Sequence, residues 1–208
     1  MAHDVTTFFL AWLQDPRRVG AITPSGDALA ELITREVEPS FGPVLELGAG
    51  TGVFTHKLIE KGFQQQDLTL IEYGSEFVGV LQLCYPGARV LWMDAARLDS
   101  EAIGDSGSYG SVVSGLPLLT MPPRKVLAIL SGAFRFLRPH GAFYQFTYGP
   151  RVPISMRILD RLGLRAKFVG RTMNNIPPAA VYRITRRPPC RLVVSNDSRS
   201  GALDASES

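Results

Sequence analysis

Residues 44–52 read Val44-Leu45-Glu46-Leu47-Gly48-Ala49-Gly50-Thr51-Gly52. A short apolar run opening into a glycine turn is a buried strand leading into a helix, and glycines at alternating positions let backbone approach a ligand where a Cβ would stand in the way. The order is E-x-G-x-G-x-G rather than the dinucleotide pattern G-x-G-x-x-G. The acid falls inside the strand, ahead of the loop. A carboxylate there repels a pyrophosphate and suits a ligand with a cationic amino acid end, such as S-adenosylmethionine.

Working outward, apolar strand patterns alternate with helical ones. Strands are expected at 44–47, 68–72, 89–93, 110–114 and 142–148, and helices at 52–61, 75–84 and 123–137. Parallel strands joined by helices bury such strands on both faces, so the fold class is α/β, a doubly wound, Rossmann-like, mostly parallel sheet. A helix at 153–162 and a strand pair at 164–171 and 180–186 close the domain. Ahead of the glycine loop, Val5, Phe8, Phe9, Trp12 and Leu13 have helical spacing over 4–14, and a second helical pattern runs from Ala28 to Val37 before Pro39 and Pro43. The expected division is an N-terminal amphipathic helix and cofactor-covering segment at 1–26, a catalytic domain at 27–190 and a disordered polar tail at 191–208.

Three acids close three successive strands. Glu46 lies in the first, Glu72 ends the second as an acceptor for ribose hydroxyls, and Asp94 follows the third where it can accept from an adenine amine. Ligands of open α/β sheets bind at the carboxyl ends of the strands, so these acids share one rim with Ser114-Gly115-Leu116-Pro117 after the fourth strand and Tyr148 at the end of the fifth. Asn174 and Asn175 reach the same side if 164–171 runs parallel.

These motifs resemble those of class I S-adenosylmethionine-dependent methyltransferases. The segments Val19–Ser25, Ser114–Leu119, Gln145–Gly149 and Asn175–Arg183 together resemble bacterial phospholipid N-methyltransferases, which convert phosphatidylethanolamine to phosphatidylcholine. The resemblance runs from about Phe8 to Arg187. It implies a seven-stranded sheet and cofactor contacts from Thr23, Ser25, Glu46, Gly48, Ala49, Gly50, Thr51, Gly52, Glu72, Tyr73, Asp94, Ala95 and Ser114. It further implies a catalytic segment of Ser114 to Pro117 with Tyr148, and substrate contacts from Tyr148, Arg151, Asn174 and Asn175. Ala49 stands where that family more often has proline, and Met93 where it commonly has glycine.

Charge and composition narrow the partners. The net charge of +3 is uneven, with −4 over residues 1–150, +9 over 151–191 and −2 over 192–208. The basic segment is the electrostatic footprint of an anionic partner. Phe8, Phe9 and Trp12 followed by Arg17 and Arg18 fit peripheral, reversible contact with an anionic membrane, and packing over the cofactor is the other reading of that helix. No run of 18 apolar residues and no secretory leader is visible, so the expected place is the cytoplasm, at the inner face of the membrane. Two distant cysteines and three unpaired histidines, His3, His56 and His140, argue against a disulfide framework, a metal site or a Ser-His-Asp hydrolase. The expectation is a monomer that uses S-adenosylmethionine, yields S-adenosylhomocysteine and needs no metal. An adenine dimethylase-like acceptor in nucleic acid is the alternative, without any RNA-binding module to support it, and a small-molecule amine is another. The base that deprotonates the amine stays unassigned.

Overall fold

The computed structural model describes residues 24–98, 100–148, 152–175 and 177–188. Phe8, Phe9, Trp12, Arg17, Arg18, Thr23, Arg151 and the segment 191–208 lie outside them, as does the helix expected at 4–14. Of Ser25 the backbone alone is described.

The chain enters through α1 (Pro24–Thr34) and then alternates through β1 (Val44–Leu47), α2 (Val53–Glu60), β2 (Leu68–Glu72), α3 (Ser75–Cys84), β3 (Arg89–Trp92), the single-turn α4 (Ser100–Ile103), β4 (Tyr109–Ser114), α5 (Pro123–Phe136) and β5 (Leu137–Tyr148). It finishes with α6 (Met156–Arg161), β6 (Leu164–Thr172) and β7 (Ala179–Arg186). One seven-stranded sheet results, in the order β3-β2-β1-β4-β5-β7-β6. The pairs β1–β2, β1–β4, β2–β3 and β4–β5 are parallel, while β7 runs antiparallel between β5 and β6. β6 therefore points the same way as β1 to β5, and its end meets the same rim.

The interior strands are apolar because both faces are covered. Every residue of β1, β2 and β4 is buried. Alternation sorts their side chains: Leu45, Leu47, Val112 and Phe143 pack with α5 and α6 on one face. Val44, Leu70, Val113, Tyr144 and Phe146 pack with α1 and α2 on the other.

Boundaries differ from the expected ones where local signals mislead. α1 begins at Pro24, so the division expected after residue 26 falls inside a helix. α2 starts one residue later than expected because Gly52 caps it at φ 83°. β5 begins at Leu137, not 142, although Arg138-Pro139-His140-Gly141 reads as a turn. Leu137 pairs with Tyr109, a register shift between Tyr109 and Ser111 absorbs the extra residues, and His140 is an exposed strand residue. α6 covers only the centre of the 153–162 pattern.

Candidate cofactor and acceptor site

The loop after β1 is built around two carboxylates. Glu46 is buried, at 1 % exposure, because its strand is interior. Its Oε2 accepts a 2.7 Å hydrogen bond from the Thr55 hydroxyl, one turn into α2. Its Oε1 is buried without a hydrogen-bond partner among the described residues. Burial pushes the Glu46 carboxyl up to about 8, the Thr55 hydroxyl holds it back, and the negative charge of Glu72 adds to the rise. A buried acid with one open oxygen is a receptor for a cationic or hydrogen-bond-donating group.

Glu72 does a different job. Its Oε2 accepts from the Gly50 N–H, and its Oε1 accepts from the N–H groups of Tyr73 and Gly74, each at 2.8 Å. A carboxylate offers about four acceptor positions, so one remains, on Oε2. The expected grip on both ribose hydroxyls would require one loop N–H to give way. Glu72 ties the glycine loop to the end of β2 and keeps one acceptor position for a further donor.

Gly52 sits at positive φ, and a Cβ there would meet the Tyr85 ring at 2.6 Å. The Tyr85 hydroxyl donates to the Gly52 carbonyl at 3.1 Å. The glycine thus clears space for a ring at the end of α3. Gly115 approaches the same loop from β4: its N–H donates to the Leu47 carbonyl at 2.8 Å. A Cβ on Gly115 would lie 2.5 Å from the Gly48 carbonyl oxygen.

Asp94 begins the short turn Ala95–Arg97, accepting from the Ala96 N–H at 3.0 Å through Oδ1 and from the Lys125 ammonium at 3.0 Å through Oδ2. Burial alone would raise this carboxyl, but the Ala96 N–H and the Lys125 and Arg97 charges outweigh it and hold it below the ordinary aspartate value. Tyr73 is exposed, and the Trp92 indole donates to its carbonyl at 2.9 Å.

On the acceptor side, Ser114 pairs in register with Leu47 on β1 and with Gln145 on β5. The Leu116 carbonyl already accepts from the Gln145 amide at 2.8 Å and from the Leu118 N–H at 3.0 Å. The Pro117 carbonyl accepts from both the N–H and the hydroxyl of Thr120, each at 3.0 Å. Two donors saturate a carbonyl. Leu116 and Pro117 therefore shape the loop and have no free lone pair for a reacting nitrogen.

The structure brings Ser114, Gln145 and Thr147 onto the α5 and α6 face by alternation, and Tyr148 onto the other. Tyr148 lies edge-on to Phe146, with ring centroids 5.3 Å apart, and Phe146 lies edge-on to Phe54 at 6.1 Å. Burial raises the Tyr148 phenol, against a hydrogen bond with the Asn175 side chain. Asn175 is buried and donates to the Pro177 carbonyl at 2.8 Å, while Asn174 is exposed. The asparagines are thus separated, one bound to Tyr148 and one facing solvent. His56 is exposed and lies 3.2 Å from Glu60. Among the described residues, no cluster of His, Cys, Asp and Glu could hold a metal ion and no helix is long and apolar enough to cross a membrane.

Sequence reasoning passed over Thr55, Tyr85, Lys125, Gln145 and Thr147. A signal existed only for the last two: polar residues alternating with aromatics in Gln145-Phe146-Thr147-Tyr148 are unusual in an interior strand.

No family model matches the chain, and no curated protein matches it. Solved structures do share its fold. The 1,6-didemethyltoxoflavin-N1-methyltransferase of Burkholderia thailandensis, solved with 1,6-didemethyltoxoflavin and S-adenosylhomocysteine, aligns over 88% of both chains at TM-score 0.59 and 16% identity. A TehB-like SAM-dependent methyltransferase from Corynebacterium glutamicum aligns over 90% of this chain and 100% of its own at TM-score 0.59 and 13% identity. The glycopeptide N-methyltransferase MtfA, complexed with S-adenosylmethionine, aligns over 80% of this chain and 96% of its own at TM-score 0.58 and 13% identity. The fold is the Rossmann-like fold of these methyltransferases.

Proposed function

We propose that this chain transfers methyl groups from S-adenosylmethionine to the amine of phosphatidylethanolamine, and to its methylated derivatives, at the surface of an anionic membrane. The observation that carries the cofactor is Glu46, whose buried, unpartnered oxygen beside the glycine loop fits the ammonium of an amino acid end. Gly48, Ala49, Gly50, Thr51 and Gly52 would line the loop, with Ser114 below it. Glu72 would take a ribose hydroxyl, while Tyr73, Asp94 and Ala95 would border the adenine. Thr23 and Ser25 would cover the cofactor, S-adenosylhomocysteine would be the product, and no metal is required.

When bound, the cofactor supplies a sulfonium methyl that passes to the amine nitrogen as the C–S electron pair stays with sulfur, and the amine gives up one proton to solvent. Such a displacement needs alignment above all, with reacting atoms about 3 to 3.5 Å apart. The Ser114 to Pro117 loop and Tyr148 would frame the acceptor, with Asn175 orienting the phenol and Arg151 and Asn174 near the headgroup. A lipid acceptor is supported by the sequence motifs and by the surface near the rim. Leu119, Met156 and Met173, in the segments leaving β4, β5 and β6, are exposed, and so are Arg157 and Arg171. Apolar side chains mixed with cations suit an anionic lipid interface on the cytoplasmic side, approached by a monomer with Phe8, Phe9, Trp12, Arg17 and Arg18 as further contacts.

The test is incubation with methyl-labelled S-adenosylmethionine and vesicles of phosphatidylethanolamine and phosphatidylglycerol, followed by separation of lipids. Label in the lipid fraction is expected. Cofactor binding without labelled lipid would overturn the acceptor assignment and turn the search to RNA and small amines.

A further inference from the structure

Two buried polar groups on β5 lack partners among the described residues. Gln145 is 0 % exposed and Thr147 is 3 % exposed, and within those residues neither Gln145 Oε1 nor Thr147 Oγ1 has a hydrogen-bond partner. The orientation of the amide is fixed: its nitrogen donates to the Leu116 carbonyl at 2.8 Å and to the Phe146 carbonyl at 2.9 Å, which uses both N–H bonds. The Gln145 oxygen is therefore a pure acceptor with nothing to accept. Thr147 follows two residues later on the same face, one step nearer the rim, and Ser114 flanks Gln145 in register. A polar atom left unsatisfied in an interior is costly, and an interior strand keeps two of them together only with a use for them.

We propose that Gln145 Oε1 and Thr147 Oγ1 form the acceptor-amine subsite, receiving the two N–H bonds of a neutral primary amine and leaving its lone pair free for the methyl. This rests on the amine-methylating function proposed above and adds a specificity to it. A primary amine satisfies both oxygens, a monomethylamine satisfies one, and a dimethylamine satisfies neither. Each methyl added removes a hydrogen bond that the pocket was built to make. Sites that hydrogen-bond a substrate N–H discriminate against analogues lacking it. The pocket thus favours the early methylations over the last. The loop gains a second function, because the Gln145 amide that presents its oxygen to the amine also holds the Leu116 carbonyl with its nitrogen.

The test compares the full-length protein with Thr147→Val, a near-isosteric change at a hydroxyl that has no partner. Binding of short-chain phosphatidylethanolamine is measured without cofactor, and KM with cofactor is measured for the primary, monomethyl and dimethyl headgroups. Loss of one neutral hydrogen bond weakens binding of the primary amine by about 3- to 10-fold. The wild-type preference for primary over dimethyl headgroup shrinks by a similar factor, while cofactor affinity and thermal midpoint hold. Thr147→Ser, which keeps an acceptor hydroxyl, serves as the second variant and retains the preference for N–H donors. Unchanged lipid affinity and unchanged preference in Thr147→Val overturn the subsite. A lowered midpoint with unchanged affinity overturns it too, by assigning the hydroxyl to internal structure. Failure of the wild type to label any ethanolamine lipid overturns the proposed function instead, and the two failures are distinct.

Discussion

On the proposed seating of the cofactor's ammonium against Glu46, binding releases a proton. In the free protein this group is raised to about 8. At pH 7 about nine molecules in ten then carry it protonated, by the ordinary titration relation. A ligand ammonium that seats against Oε1 requires the ionised form, so binding at pH 7 expels about 0.9 proton from Glu46 and, less the roughly 0.1 proton that the ligand's amine takes up, about 0.8 net. Affinity rises about tenfold per pH unit up to about 7, flattens near 8 where Glu46 and the ligand's own amine both titrate, and falls above as that amine loses its charge. Isothermal titration of S-adenosylmethionine in two buffers of different ionisation enthalpy reads the released proton directly. Glu46→Gln abolishes the release and flattens the acidic limb. The stability of the unliganded protein moves in the opposite direction. A carboxyl raised on folding leaves the native state holding a proton that the unfolded chain has lost, so stability is greatest below the ordinary glutamate value and declines as pH rises toward 8. The decline is at most roughly 5 kcal/mol for a shift of this size, and the thermal midpoint tracks it. Binding at pH 7 that releases no proton would refute the assignment of Glu46 to a cationic group.

Thr55→Val removes the hydroxyl that stabilises the ionised Glu46, and each further unit of rise in its pKa weakens cofactor binding at pH 7 by about tenfold, read in the same titration. Gly115→Ala drives a Cβ against the Gly48 carbonyl, 2.5 Å away, and the backbone must shift. The expected cost is about 1–3 kcal/mol of stability with weakened cofactor binding, read by chemical denaturation and calorimetry. Stability and affinity equal to the wild type would show that the loop tolerates the displacement.

The alternation of elements was legible because parallel interior strands are continuous apolar runs, and β1, β2 and β4 are such runs. The turn-like Arg138-Pro139-His140-Gly141 misled because its pairing depends on a register shift between Tyr109 and Ser111, a tertiary fact. Among the site residues, the positions of Glu46, Glu72 and Asp94 were legible from strand ends. Their commitments were not. Lys125 stands 31 residues beyond Asp94, and Glu72 meets Gly50 from 22 residues away, so local spacing carries no trace of either bond.

The division of β5 between two faces gives the site its economy of parts. Residues 144, 146 and 148 point to the side where Phe54 and the Glu46 carboxylate lie, and residues 145 and 147 point to the side of Ser114. A single strand therefore contributes the Tyr148 ring to one wall and the Gln145 and Thr147 acceptors to the other. A register slip of one residue would exchange them, placing a phenol against α5 and an amide in the aromatic cluster. The six-residue antiparallel pairing of β5 with β7, from Phe143 with Ile184 to Tyr148 with Ala179, opposes such a slip. The basic strand pair β6 and β7 thus has a structural task beside its charge, which is to hold β5 in the register that puts each polar side chain on its own wall.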